Sequence, residues 1–136
     1  MSKIAERIDD IIRMLGKKCP EILFKECNDP LVYMKSLNPI RFPLVLISYK
    51  ESLYNDSKIY PGTCTFEIYF IDIKKKARQL LDLMQDVYDF FKNNVIQTKE
   101  DGNSVTGHKM IYQEQGLHAE SNEHIIYVQR YNLLIP

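Results

Sequence analysis

Long apolar runs are missing from this chain, and so are the residue clusters that ordinarily announce chemistry. The longest apolar stretches, such as Leu44-Val45-Leu46-Ile47, fall far short of the ~20 residues a membrane-spanning helix needs. Met1-Ser2-Lys3 leads straight into a segment carrying Glu6, Asp9 and Asp10, so it lacks the uninterrupted apolar region and small-residue cleavage site of a secretory signal. Cysteine is scarce: Cys19, Cys27 and Cys64 are an odd number with no CxxC spacing. That argues against a disulfide framework or zinc cluster and fits a reduced, cytoplasmic setting. Excess charge of either sign is also lacking, with 18 basic against 18 acidic residues. A general nucleic-acid binder should be clearly basic, so that class is excluded. The same balance removes a source of self-repulsion and leaves association between copies open.

What is present is an ordinary globular composition. Hydrophobic residues make up 45% and charged residues 26% of 136 positions, enough to bury one core and to exclude disorder over most of the chain. No composition shift, repeat or low-complexity tract divides it, so residues 1–136 read as a single domain.

Ile4, Ile8, Ile11, Ile12 and Leu15 recur at helical spacing and predict a helix over residues 3–16, with Ser2 as N-cap and Gly16 as stop signal. Asn28-Asp29-Pro30 and Asn38-Pro39 are turn signals. Between them Leu31–Leu37 reads as a short strand able to pair with Glu21–Lys25. Leu44–Lys50 reads as a buried strand, and the polar stretch Glu51–Gly62 as a long hairpin loop. Thr63–Ile73 alternates Cys64, Phe66, Ile68 and Phe70 with Thr65, Glu67, Tyr69 and Ile71, the clearest strand in the chain. A second helix from about Lys74 to Asn94 carries Ala77, Leu80, Leu81, Met84, Val87, Tyr88, Phe91 and, just beyond, Val95 as a broad stripe. Leu83 and Phe90 lie off that stripe. A loop with Asp101-Gly102-Asn103-Ser104 and Gly107 follows, then strands at His108–Leu117 and Glu123–Leu134 around a turn at Ala119–Asn122. The order predicts an α+β domain: a mainly antiparallel sheet with the N-terminal helix and the long central helix packed on one face.

The search for chemistry is mostly negative. His118 and His124 flank the C-terminal turn with Glu120 and Glu123 nearby. A surface metal site there competes with the simpler reading of polar residues beside a solvated turn. No HExxH, GxGxxG, P-loop or GxSxG pattern occurs. Lys17 and Lys18 could lower the Cys19 thiol pKa, but no partner histidine is implied. Asp9-Asp10 and Asp82/Asp86 read as solvated helix faces. No catalytic residue, cofactor site or metal site is assigned, and the expectation is a protein that is not an enzyme.

Two features point to association instead. Lys74-Lys75-Lys76 with Arg78 is the one basic run; beside the readings of a solvated helix entry and of a phosphate-contacting site, it can meet an acidic surface such as Asp82 and Asp86 of the same helix on a neighbouring copy. Thr63–Ile73 also carries large groups on both faces: Phe66, Ile68 and Phe70 on one, Tyr69, Ile71 and Ile73 on the other. With the helices on one face, the second stays bare unless Lys17–Pro43 folds over it, and bare apolar patches mark protein contacts. Tyr69, Ile71, Ile73, Lys74, Lys75, Lys76, Arg78, Asp82 and Asp86 are therefore the candidate interface. Charged replacements at Tyr69 and Ile71 are expected to block assembly while sparing the fold.

The layout resembles the tail-terminator and tail-completion (minor tail) proteins of tailed bacteriophages, including Mu-like prophage relatives. The resemblance rests on the opening helix, the proline-led Phe42-Pro43-Leu44-Val45-Leu46-Ile47, the strand Thr65-Phe66-Glu67-Ile68-Tyr69-Phe70-Ile71 running into the helix Ala77–Asn94, and a closing hairpin ending Ile126-Tyr127-Val128-Gln129-Arg130-Tyr131. It is one of element order over most of the chain, without a diagnostic motif. Glu21–Leu37 is longer than that layout needs. The resemblance implies a subunit that closes with its own copies into a ring, commonly a hexamer, capping the tail tube and joining it to the head. Its partners would be itself and the tube and head-completion proteins, with no nucleic-acid sequence recognition and no membrane. The Glu51–Gly62 loop would be a tube or head contact. A cytoplasmic adaptor or ligand-binding module of similar build is the alternative.

Overall fold

The computed structural model describes residues 3–36, 41–54, 62–100 and 104–135. Its first helix, α1 (Lys3–Lys18), runs through Gly16 and buries Ile8, Ile11 and Leu15. The Ser2 cap lies outside the described residues. The short strand β1 (Leu23–Glu26) pairs in parallel with β2 (Leu44–Tyr54), not with residues 31–37. Those residues form a helix instead, α2 (Pro30–Ser36), which corrects the strand expected there. The local reason is visible: Asp29 Oδ1 accepts the Leu31 N–H at 2.8 Å, capping a helix whose first residue is a proline already set to helical φ.

β2 continues to Tyr54, β3 spans Gly62–Ile73, and the loop residues between them lie outside the described residues. A 3-10 turn (Lys74–Lys76) precedes α3 (Ala77–Asn93). The segment read as a loop instead holds two paired strands, β4 (Ile96–Glu100) and β5 (Ser104–His108); residues 101–103 are again outside the description. β6 (Met110–Glu120) and β7 (His124–Ile135) close the chain. The main sheet runs β1-β2-β3-β7-β6, antiparallel except for the β1–β2 pair, and the whole is a single α+β domain.

α1 and α3 share one face. Leu80, Met84, Val87 and Phe91 of α3 pack with the α1 residues on Val45, Ile47, Phe66, Ile68, Phe70, Tyr131 and Leu133. The second face is divided by the register. Two cross-sheet rows, Leu44–Ile71–Ile126 and Leu46–Tyr69–Val128, are apolar and lie against Tyr33 and Met34 of α2. The next rows, Ser48–Glu67–Arg130–Glu114 and Thr65–Asn132, are polar apart from Ile111 beside Asn132 on β6. The apolar half is thus roofed within the chain, and the other half has little apolar area to hide. Among the described residues no helix is long and apolar enough to cross a membrane.

Candidate functional site

The candidate interface residues separate into three groups. Tyr69 and Ile71 are buried, 2% and 0% exposed, so the bare apolar face expected to carry them does not exist. α2 covers it, because a chain that places Leu44, Leu46, Tyr69, Ile71 and Ile126 on one surface gains about 25 cal/mol for each Å² removed from water. Charged substitutions there now predict unfolding rather than loss of assembly. Ile73, half-buried at the end of β3, lines a groove described below. Lys74, Lys75, Lys76, Arg78, Asp82 and Asp86 are all exposed. Lys74 pairs with Glu120 of β6 at 3.2 Å, and its backbone N–H bonds the Glu123 carbonyl at 2.8 Å. Arg78, Asp82 and Asp86 succeed one another at four-residue intervals, a single row along α3.

The histidines do not converge on a metal. The His118 ring sits edge-on to Tyr69 at 4.9 Å, while His124 lies against Phe42 at 5.0 Å. Among the described residues no group of three metal-ligating side chains forms. All three cysteines are buried and none forms a disulfide. Burial, aided by Glu21 and Asp86, pushes the Cys19 thiol up and outweighs Lys18, opposite to what the lysine pair alone implied. Burial also pushes Cys27 up to about 11.

The polar half of the second face holds a linked set of groups. The Tyr69 hydroxyl donates to Glu67 Oε2 at 2.8 Å, and burial with that carboxylate raises its pKa above the usual phenol value. Arg130 bridges Glu67, at 3.5 Å, and Glu114 on β6, while Thr65 donates to Asn132 at 3.0 Å. Lys50 Nζ lies 5.5 Å from the Tyr69 ring centre. Each anion here has a cation beside it. The set reads as a surface that tolerates water, and nothing in it combines a nucleophile with a base.

The exposed large apolar side chains are the residues that reasoning from sequence did not single out. Seven occur among the described residues: Leu31, Val32, Leu81, Val95, Ile111, Tyr112 and Leu117. Leu31 and Val32 project from α2, on the face of the sheet opposite α1 and α3. Leu81, Tyr112 and Leu117 gather where α3 runs alongside the edge strand β6. Three contacts fix that alignment: Lys109 Nζ donates to the Lys92 carbonyl, Tyr88 meets Tyr112 edge-on at 5.1 Å, and Lys74 pairs with Glu120. Tyr112 and Leu117 face the helix side, opposite Tyr131 and Tyr127, and Leu81 lies two turns before Tyr88. Ile111, opposite Asn132, projects from the other face of the same strand. Leu81 was visible in the sequence as part of the α3 stripe. That it falls on the uncovered side depends on β6 being an edge, which no local pattern states.

Two bulges in β6, between Tyr112 and Glu114 and between Leu117 and Ala119, interrupt its register with β7. Bulged edge strands resist pairing with another strand, so this margin offers side chains more than backbone. No protein-family model matches the chain, and no curated protein matches it.

Proposed function

We propose that this chain is a non-catalytic assembly subunit of the tail-terminator kind, associating head to tail with its own copies into a ring that caps a tail tube and offers a surface for the head. Assembly would take place in the host cytoplasm. The observation that carries the reading is the separation of exposed apolar groups into two unlike patches on opposite faces of one sheet: Leu31 and Val32 on α2, and Leu81, Tyr112 and Leu117 along α3 and β6. A two-fold dimer buries one patch against itself, whereas a heterologous contact pairs unlike patches and closes into a ring when the rotation permits. The balanced charge of 18 against 18 supports close stacking of copies. The exposed Lys74–Arg78 run and the Asp82/Asp86 row add a charged rim beside the α3–β6 patch.

Light scattering across a concentration series, with and without a co-expressed tail-tube protein, tests the reading. The wild type should form closed oligomers. Val32→Glu and Leu117→Glu should each abolish them, and an equimolar mixture of the two variants should stop at dimers, because only one intact contact can form. A wild type that stays monomeric under both conditions refutes the proposal. Variants that assemble as the wild type does refute the assignment of the patches.

A further inference from the structure

A groove of about 500 Å³ opens where β3 ends and α3 begins. Phe42, Pro43, Leu80 and Leu83 wall it with apolar groups, and Asp72 and Lys76 supply its charge. Asp72 is 7% exposed, and its Oδ1 accepts the neighbouring Ile73 N–H at 2.7 Å. Among the described residues it takes part in no ion pair: Arg7 and Arg13 pair with Asp10, Lys74 with Glu120, and Arg130 with Glu67 and Glu114. A mostly buried carboxylate with no cation bonded to it keeps acceptor capacity that an incoming cation can use.

We propose that this groove is a socket for a lysine or arginine side chain presented by a partner protein. The methylene stem of such a residue suits the Phe42, Pro43, Leu80 and Leu83 walls, and its charged head suits Asp72. A divalent metal is a poorer match, because hard cations need several oxygen ligands and this groove has a single carboxylate. Lys76 lines the same groove and is exposed, so it opposes the incoming cation without neutralising Asp72. The socket does not depend on ring formation, and a monomeric chain would still have it.

Amide chemical shifts of the full chain, followed during titration with N-acetyl-arginine amide, N-acetyl-lysine amide and, as an apolar control, N-acetyl-norleucine amide, provide the test. The basic probes should give saturable shifts at Ile73, Gln79, Leu80 and Leu83 that weaken as salt is added. Asp72→Asn should weaken binding about tenfold, the scale of one charge-assisted hydrogen bond. Lys76→Met should strengthen it. Absence of shifts in the wild type, equal binding of the norleucine probe, or an Asp72→Asn protein that binds as the wild type does overturns the proposal. Tighter binding of free spermidine than of either capped residue overturns the side-chain assignment. Loss of self-association in Asp72→Asn makes the occupant a second copy and overturns the assignment to a different partner. Should Asp72→Asn fail to fold, Lys76→Met decides, and unchanged affinity there overturns the socket.

Discussion

Gln129 offers a quantitative test of how α3 is fastened to the sheet. Its side chain is fully buried in β7 and is used completely: Nε2 donates to the Met84 carbonyl at 2.9 Å and to Gln115 Oε1 at 3.1 Å, and Oε1 accepts the Tyr131 hydroxyl at 2.8 Å. Tyr131 is itself fully buried, its ring edge-on to Phe91 at 4.9 Å, and burial raises its pKa. Gln129→Leu strands the Tyr131 hydroxyl, at a cost of about 1–3 kcal/mol. The Met84 carbonyl keeps its helical bond, and Gln115 is exposed and can turn to water. The added apolar burial offsets part of this, leaving about 1.5 kcal/mol. Tyr131→Phe strands Gln129 Oε1 and should cost about 1.5–2 kcal/mol. The double variant has neither stranded group, because both partners of the bond are gone, and should cost only about 1–1.5 kcal/mol. The coupling is therefore about 2 kcal/mol, and the double variant should melt at or above the temperature of either single one. Urea unfolding followed by far-ultraviolet circular dichroism measures all four proteins, a suitable probe since the chain has no tryptophan. Costs that add to within about 0.5 kcal/mol would refute the bond and mean that the Tyr131 hydroxyl reaches water.

Two further outcomes follow from burial. Ile71→Ala should cost about 2–5 kcal/mol in urea unfolding while leaving the association state of the folded protein unchanged, since Ile71 is 0% exposed beneath α2; a variant that loses assembly at unaltered stability would restore Ile71 to an interface. Cys27 binds its proton more tightly folded than unfolded, so its contribution to stability is complete below pH ~9 and is lost as pH rises towards the folded value of about 11. Stability should therefore fall over that interval, less steeply in Cys27→Ala, and identical slopes for the two proteins would contradict the burial of that thiol.

The patterns that were legible in the sequence are those set by strict local periods. Two-residue alternation in β3 places Phe66, Ile68 and Phe70 on the α1–α3 face and Tyr69 and Ile71 on the other, as the structure has them. Of the α3 stripe, Leu80, Met84, Val87 and Phe91 are buried as their spacing required, whereas Leu81 and Val95 are exposed. The α2 segment was misread because Asn28-Asp29-Pro30 has two meanings. It signals a turn, but Asp followed by Pro is also an N-cap and first helical residue, and only the Asp29–Leu31 bond distinguishes them. Seven residues containing Val32 have little helix propensity of their own. Packing of Tyr33 and Met34 over Tyr69 and Ile71 stabilises the helix, and that contact crosses some 35 positions of sequence. Ile96–Glu100 and Ser104–His108 lack a clean alternation of apolar residues. The Asp101-Gly102 between them is nevertheless a strong hairpin signal.

The correction at α2 strengthens the assembly reading even as it removes two of its residues. A wholly bare sheet face would present one broad patch, best suited to stacking face to face with a second copy. By roofing that face, α2 turns its own outer side chains, Leu31 and Val32, into a small patch there, separate from the exposed apolar groups along the α3–β6 margin. The same step explains why the rest of that face is polar. α2 spans only the rows through Ile71 and Tyr69, so the rows through Glu67 and Thr65 meet water and carry Arg130, Glu114 and Asn132 instead. Two separated unlike patches favour directional, repeated contacts over symmetric pairing. The bulges of β6 bias the same way: they hinder indiscriminate strand addition at the long edge and leave Tyr112 and Leu117 as the groups a neighbour must fit.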